Sequence, residues 1–424
     1  MRVSTDFLTY FFFAFCVAYN LAVCVLFLVL RRPGHRPRPR EGGSDWPVIS
    51  VLVPTLNEDR VVRRTVECLL ALPYPGRLEA LVVDDHSDDR TVAIVQELAL
   101  AHANVDLLRR TAERSRRGKG DSLNHGFSYL CGRFPDRDRA GWVMAVFDAD
   151  GRPQEDDLLL EVGDAFADPR VAAAQCGVRI RNGHHLLAAL QDVEFATFSF
   201  VTQWVRDRTS GAVALGGNGQ FVRASALVGL DGAGAPWDQT ALTEDLDIGI
   251  GLHLAGQRVR FLDRWVGQEG VESLRALFRQ RRRWAWGSLQ TFLRYAWSGR
   301  LWRARLPWAK RLDLSYYLTF WIVPFVVLFS LFLSLLDLAG AVVITNRFGL
   351  PLLLANSFSL VPLIVLGLRR AGFPARRIAY LVPLTVVYAY HWVPVLVMAW
   401  ASIIRHRRPQ WAKTERYAAE EPMA

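Results

Sequence analysis

Of 424 residues only five are cysteine, and no two of them stand at metal-ligating or redox spacing. Cys16 and Cys24 fall in one apolar run, while Cys68, Cys131 and Cys176 are scattered. That pattern suits reduced, mostly buried thiols of a cytoplasmic domain and argues against a cysteine-built metal or redox site. The chain has no internal repeat. It also lacks any helix-turn-helix, zinc or aromatic RNA-binding signature beside its net charge of +10, so nucleic acid is not an expected partner. Charge itself is missing from residues 7–30 (FLTYFFFAFCVAYNLAVCVLFLVL), a run long enough to cross a bilayer.

What is present follows from that segregation: 51% of residues are hydrophobic and 22% charged, gathered in separate stretches. The first apolar run gives way to RRPGHRPRPR rather than to a small-residue cleavage site, which reads as a retained anchor. The basic run should stay on the cytoplasmic side and leave the N-terminus outside. Basic residues beside apolar segments would face anionic membrane lipid. After about residue 310 the chain is apolar again, with spans expected near 314–336, 349–368 and 378–404. Three crossings would put the C-terminus outside, yet RHRRPQWAKTER after the last span is strongly basic. Pro383, His391 and Pro394 make that last segment the candidate for a re-entrant turn.

Between the apolar ends the texture is that of an α/β domain. VISVLVPTLNE, LEALVVDD, VDLLRR and WVMAVFDAD read as strands, separated by helical stretches such as TVAIVQELALAHA. Alternation of this kind implies a mostly parallel sheet covered on both faces. In such sheets ligands bind beyond the carboxyl ends of the strands. Three acidic clusters fall there: Glu58 after the first strand, Asp84 and Asp85 after the second, and Asp148 and Asp150 after the fourth.

Each cluster has a plain structural reading. Ser87 or Asp88 could cap the helix near Arg90, with the neighbouring acids favouring its start. The functional alternative is that Asp84 and Asp85 accept hydrogen bonds from a base or ribose. Asp148 and Asp150, two positions apart at a strand end, could share a divalent cation that relieves their repulsion. An oxygen donor set suits Mg²⁺ or Mn²⁺, which would also take diphosphate oxygens. In ALTEDLDIGIGLHLAG, Thr243 could cap a helix whose Leu246, Ile250 and Leu254 pack inward, with Glu244 and Asp245 complementing the macrodipole. Asp245 lies off that stripe, where a carboxylate could take a proton from an attacking hydroxyl.

QRRRWAWGSLQ, residues 280–290, sits on an expected amphipathic helix of about five turns from Leu274. Arginine and tryptophan together suit the membrane interface. Gln280, Arg283 and Trp284 are three and four apart and share one side. A guanidinium there could hold a diphosphate and an indole could stack on a sugar.

VPTLNE, VVDDHSDD, GKGDSLN, FDAD, TED and QxxRW, in this order, resemble the membrane-bound family 2 glycosyltransferases, which include cellulose, hyaluronan, chitin-oligosaccharide and poly-N-acetylglucosamine synthases and some glucolipid synthases. The likeness covers roughly residues 48–297. It implies a GT-A fold with a Rossmann-like sheet, joined to transmembrane and interfacial helices, and a UDP-sugar donor. By resemblance Asp85 and Asp84, helped by Thr55 and Glu58, would bind uracil and ribose. Lys119 would approach the diphosphate, Asp150 would ligate Mg²⁺ or Mn²⁺, and Asp148 would contact ribose or metal. Asp245, in the TED of Thr243, Glu244 and Asp245, would be the base. Gln280, Arg283 and Trp284 would hold diphosphate and acceptor, and Asn218 of GGNGQF would lie near the acceptor.

The resulting division is an N-terminal transmembrane helix over 1–30, a Pro/Gly linker over 31–47 and a cytoplasmic catalytic domain over 48–270. Interfacial helices over 271–312, a membrane region over 313–405 and a polar tail over 406–424 follow. The expected protein is a multi-pass cell-membrane enzyme. It would extend a β-linked glycan, working with secretion or export subunits, or transfer one sugar to a lipid such as diacylglycerol. The GGNGQF wording is closer to the glucolipid synthases. A catalytically degenerate transporter or binding protein is the reading furthest from the intact acids.

Overall fold

The apolar run Val48–Thr55 forms a strand (β1) that is buried along nearly all its length, as a run without polar alternation requires. The computed structural model describes residues 2–3, 6–31, 46–230, 235–319 and 349–405, with isolated positions between 320 and 348. The expected tail, nearly all of the linker and most of the 314–336 span lie outside the described residues.

The strand–helix alternation is as expected: α1 (Asp6–Leu30), β1, α2 (Val62–Leu70), β2 (Leu78–Asp84), α3 (Thr91–Ala101), β3 (Val105–Arg109), α4 (Lys119–Arg133) and β4 (Trp142–Val146). The rest of the domain is β5 (Arg152–Pro153), α5 (Leu158–Phe166), β6 (Val171–Ile180), α6 (Leu186–Thr197), α7 (Trp204–Arg208), β7 (Gln220–Arg223), α8 (Ala224–Leu230), α9 (Glu244–Leu254) and β8 (Arg258–Gln268). These strands make one eight-stranded sheet in the order β3-β2-β1-β4-β7-β6-β8-β5. The first four are parallel; β7 is antiparallel to both β4 and β6, and β8 runs parallel to β6.

Side chains alternate across this sheet and build two cores. Val51 and Val53 face α2, α3 and α5 through Val66, Val95 and Leu159. Leu52 faces the other way, in a core with Phe127 of α4, Phe27 of α1 and Trp204 of α7. The end of α1 is therefore packed on the α/β domain. Burying each of these side chains contributes about 1.5–3 kcal/mol.

Register aligns the strand ends. Thr55 pairs with Asp84, Asp84 with Arg109, and Leu52 with Val146, so the acidic loops leave the same edge. Pairing of Val146 with Gln220 brings the GGNG loop beside them.

Helix α10 (Leu274–Thr291) has the five turns its periodicity predicts, with Ser273 at the N-cap accepting from the Ala276 N–H at 3.2 Å. A π-turn over 292–297, α11 (Arg300–Arg303) and α12 (Trp308–Thr319) continue it. Then come α13 (Gly349–Arg370), α14 (Ala375–Ala389) and α15 (Trp392–Ile404). Among the described residues one stretch, Ala375–Ile404, is long and apolar enough to cross a membrane by length and composition. The span expected over 378–404 is in fact two helices, α14 and α15, meeting at Tyr390 and His391. Pro383 sits inside α14, while Pro394 falls in the first turn of α15, where the missing N–H is tolerated. Helix α10 does not lie bare on the surface: Ala285 and Leu289 pack with Val395, Leu396 and Ala399 of α15.

Candidate functional site

Beyond the carboxyl edge of the sheet lies a cavity of about 710 Å³. Thr55, Glu58 and Asp85 line one end. The loops that carry them are laced together: Thr55 O accepts the Asp85 N–H at 2.8 Å, Asn57 Oδ1 accepts the Asp88 N–H at 2.9 Å, and the Glu58 N–H donates to Thr91 Oγ1 at 2.7 Å. Ser87 and Asp88 do not cap α3. That task falls to Asp89, whose Oδ1 accepts from Thr91 N and Oγ1 at 2.8 and 2.5 Å.

Asp84 and Asp85 part company. Asp84 is fully buried, accepts the Ser87 N–H at 3.1 Å and does not line the cavity. Asp85 does line it, with one oxygen taking Arg110 Nη1 at 2.6 Å and the other taking the Arg116 N–H at 3.0 Å. Arg110, only 2% exposed, also bonds Asp121 and so fixes the pocket floor. Burial pushes the Asp85 carboxyl up, against the pull of Arg110.

At the centre Lys119, first residue of α4, donates to Asp148 Oδ1 and to Gly217 O, each at 2.6 Å, and lies 3.8 Å from Glu244 Oε1. Gly217 is held against Lys119 and Asp245: a Cβ there would stand 3.0 Å from Lys119 Nζ and 3.3 Å from Asp245 Oδ2. Asn218 ties the loop down, its Oδ1 taking the Asp148 N–H at 3.3 Å and its Nδ2 reaching Gln268 Oε1 at 3.0 Å. Gln175 holds the same loop through Gly216 N and Asn218 O, each at 2.8 Å.

The electrostatics match this crowding. Burial raises the Glu244 and Asp245 carboxyls, opposed by Lys119 and Arg283. Burial lowers the Lys119 ammonium, but Asp148 and Glu244 outweigh it and the net shift is upward. Lys119 is therefore a fixed cation among three acids.

Asp150 is 1% exposed and sits behind the cavity wall, its Oδ2 accepting the Glu269 N–H at 2.9 Å. Asp148 stands on the wall itself. The pair offers carboxylate oxygen, the donor type that suits Mg²⁺ or Mn²⁺, with Asp148 facing the cavity and Asp150 set back from it. Among the described residues, His184, His185 and Glu272 form the one group of three His, Cys, Asp or Glu ligand atoms within 4.8 Å of each other, and that group does not line the cavity.

The helices that carry TED and QxxRW touch at Thr243 and Gly287. Thr243 makes no side-chain cap bond to α9, and its Oγ1 is buried without a partner. A Cβ on Gly287 of α10 would lie 2.4 Å from that oxygen, so the helices touch there. Gln280, Arg283 and Trp284 line the same cavity as Asp245. From there the space runs on between Tyr19 of α1, Tyr317 of α12, Leu363 of α13 and Val393 of α15. Arg281, in the middle of the same motif, is 0% exposed.

Sequence reading missed Arg110, Gln175, Gln268 and Arg281. For Arg110 a signal existed: it follows β3 directly, the placement that singled out the acids. The glutamines stand alone in sequence, and their role depends on the antiparallel strand β7.

The family described as glycosyltransferase like family 2 matches residues 47–287. Over 423 residues the chain is 32% identical to the beta-monoglucosyldiacylglycerol synthase of Synechocystis sp., covering 95% of this chain and 82% of that protein. Identity to the poly-beta-1,6-N-acetyl-D-glucosamine synthase of Staphylococcus epidermidis is 28% over 253 residues, 59% of this chain and 57% of that one. Among solved structures the fold is similar to a mannosyltransferase from Pyrobaculum calidifontis in complex with GDP-Man and Mn²⁺, with a TM-score of 0.58 and 18% identity over 93% of this chain and 99% of the other.

Proposed function

Because the chain belongs to glycosyltransferase family 2, with the GT-A fold, we propose that it transfers a single hexose from a UDP-sugar to a membrane lipid of the diacylglycerol class. The observation that carries this reading is the continuity of the cavity. One space joins the pocket at Asp85 and Lys119 to a cleft between α1, α12, α13 and α15. An amphiphile fits that shape, with its hydroxyl at Asp245 and its chains among apolar helices. Three relatives that match more than nine-tenths of the chain carry the name of a glucolipid synthase, a fourth at 90% is named only a probable glycosyltransferase, and those named for polymer synthesis share a smaller part. These matches favour the lipid acceptor over the glycan-extending reading, and glucose is the first donor sugar to test.

The chemistry follows from the residues. The donor's uracil and ribose lie by Thr55, Glu58 and Asp85, with Arg110 setting the orientation of Asp85. Asp148 and Asp150 would hold a divalent cation, which supplies positive charge to the diphosphate leaving group. Lys119 and Arg283 add charge from the protein, and Gln280 and Trp284 border the same space. Asp245 takes the proton from the acceptor hydroxyl as it attacks the anomeric carbon on the face opposite UDP. A single displacement converts an α-linked donor into a β-linked product. The membrane helices keep the acceptor's chains out of water, and α1 and α13 join Ala375–Ile404 in a multi-pass arrangement with the catalytic domain cytoplasmic.

The test is product analysis with purified protein in nanodiscs containing diacylglycerol, given radiolabelled UDP-glucose, UDP-galactose or UDP-N-acetylglucosamine with Mg²⁺ or Mn²⁺. One organic-extractable product carrying a single sugar is the expected result. A ladder of water-soluble or insoluble oligosaccharides overturns it.

A further inference from the structure

Glu194, near the end of α6, has a carboxylate shared by three donors from three other helices. Arg281 of α10 donates to Oε2 at 2.7 Å and the Tyr388 hydroxyl of α14 donates to the same oxygen at 3.1 Å. The indole N–H of Trp392, which opens α15, donates to Oε1 at 3.2 Å. Tyr388 and Trp392 flank the break between α14 and α15 at Tyr390 and His391. The carboxylate thus joins α6 and α10 to both halves of the final helical stretch, at the point where that stretch bends.

Arg281 extends the cluster toward the reacting groups. Its guanidinium carbon lies 4.0 Å from the centre of the Trp284 ring, 5.5 Å from that of Trp392 and 5.7 Å from that of Phe195. Phe195 meets Trp284 edge to face at 6.0 Å. A cation placed over one ring face fixes the tilt of that ring. Buried ion pairs are weak sources of stability, because desolvation offsets the attraction, and their best-attested use is to specify one arrangement. Here the arrangement specified is that of Trp284, which lines the cavity beside Gln280 and Arg283.

We infer that Glu194 is a positioning residue for the acceptor. Through Arg281 it sets the Trp284 ring, and through Tyr388 and Trp392 it holds the acceptor wall in register with the turn of α10 that borders the diphosphate. This inference rests on the lipid-acceptor reading for the identity of the acceptor, but not for the geometry. It goes beyond that reading by assigning acceptor affinity to a residue outside the motif.

The test measures KM for UDP-sugar and for diacylglycerol separately, in nanodiscs, with Glu194→Gln, Arg281→Lys and Tyr388→Phe. Loss of this half-buried charged bond should raise the acceptor KM about tenfold for Glu194→Gln and Arg281→Lys, and less for Tyr388→Phe. The donor KM should stay within about twofold, and the Glu194→Gln/Arg281→Lys pair should cost less than the product of its singles, as contacting residues do. Thermal midpoints and UDP binding report folding. If Glu194→Gln does not fold, Tyr388→Phe, which removes one O–H donor, reads the same split. Donor and acceptor KM rising together, a loss confined to kcat, or no change overturns the assignment. Should the wild type use a soluble oligosaccharide instead of diacylglycerol, the function reading fails, and the split is read against that oligosaccharide.

Discussion

Thr243 and Gly287 are in contact across two helices: no room exists between the Thr243 side chain and the Gly287 backbone for even a methyl group. The glycine is required by this approach rather than by its backbone angles, since it lies inside α10. Gly287→Ala should therefore push α10 away from the TED turn and destabilise the fold by about 1–3 kcal/mol, with transfer falling further than stability. Thermal unfolding and kcat check this, and Thr243→Gly in the same background should recover part of both.

Asp245→Asn should reduce transfer by about 10²–10⁴-fold, the usual worth of a positioned base, while UDP-sugar binding is retained. Calorimetry of UDP-glucose binding beside turnover measures the two separately. Unchanged turnover would remove Asp245 from the mechanism.

Arg110→Met should abolish detectable UDP binding. It leaves the buried Asp85 and the half-buried Asp121 without their shared cation, a loss of about 3–5 kcal/mol for the broken buried Arg110–Asp85 pair. Titration of UDP against the folded variant reads the result, and binding within a few-fold of wild type would contradict it.

Asp150→Ala should weaken donor binding in the presence of Mg²⁺ or Mn²⁺, and EDTA should do the same to the wild type. Donor affinity indifferent to both would count against a metal held by Asp148 and Asp150.

The acid limb of kcat should report the Glu244 and Asp245 pair, both raised by burial. A base with a raised carboxyl loses activity as pH falls through that raised value, so the limb should lie above the ordinary carboxylate range. Glu244→Gln removes a neighbouring negative charge, which favours the ionised form of Asp245 and moves the limb to lower pH. A pH profile of kcat over about pH 4 to 8 checks the sign, and a limb moving upward would refute it.

Much of this was legible before folding because it is local. Apolar strands ending in acids marked the sheet edge, and the period of α10 set its length and its Gln280, Arg283 and Trp284 side. What escaped was made by long-range pairing. Gln220 opposite Val146 and Gln268 beside Asn218 depend on an antiparallel strand inserted into a parallel sheet, which no local pattern announces. Nothing local singles out Arg281 from its neighbours, and it is buried where Glu194, 87 residues earlier in the chain, supplies a counter-charge. Pro383 and His391 did signal trouble in the last apolar run, but a sequence cannot tell a re-entrant turn from a bend between two stacked helices.

The sheet order has a consequence for how the chain is made. Strands β1 to β4 can pair as soon as residue 146 is available, but β6 lies between β7 and β8, and β8 runs to Gln268. Parallel pairing of Val171 with Arg258 closes a loop of nearly ninety residues, the kind of non-local contact that slows folding. During synthesis the side of β4 stays open until β7 arrives, and Asp148 and Asp150, just beyond its carboxyl end, have no Asn218 or Gln268 beside them until then. The surroundings of Asp148 and Asp150 are thus completed later than the pocket at Thr55, Glu58 and Asp85, which the first strands already bring together.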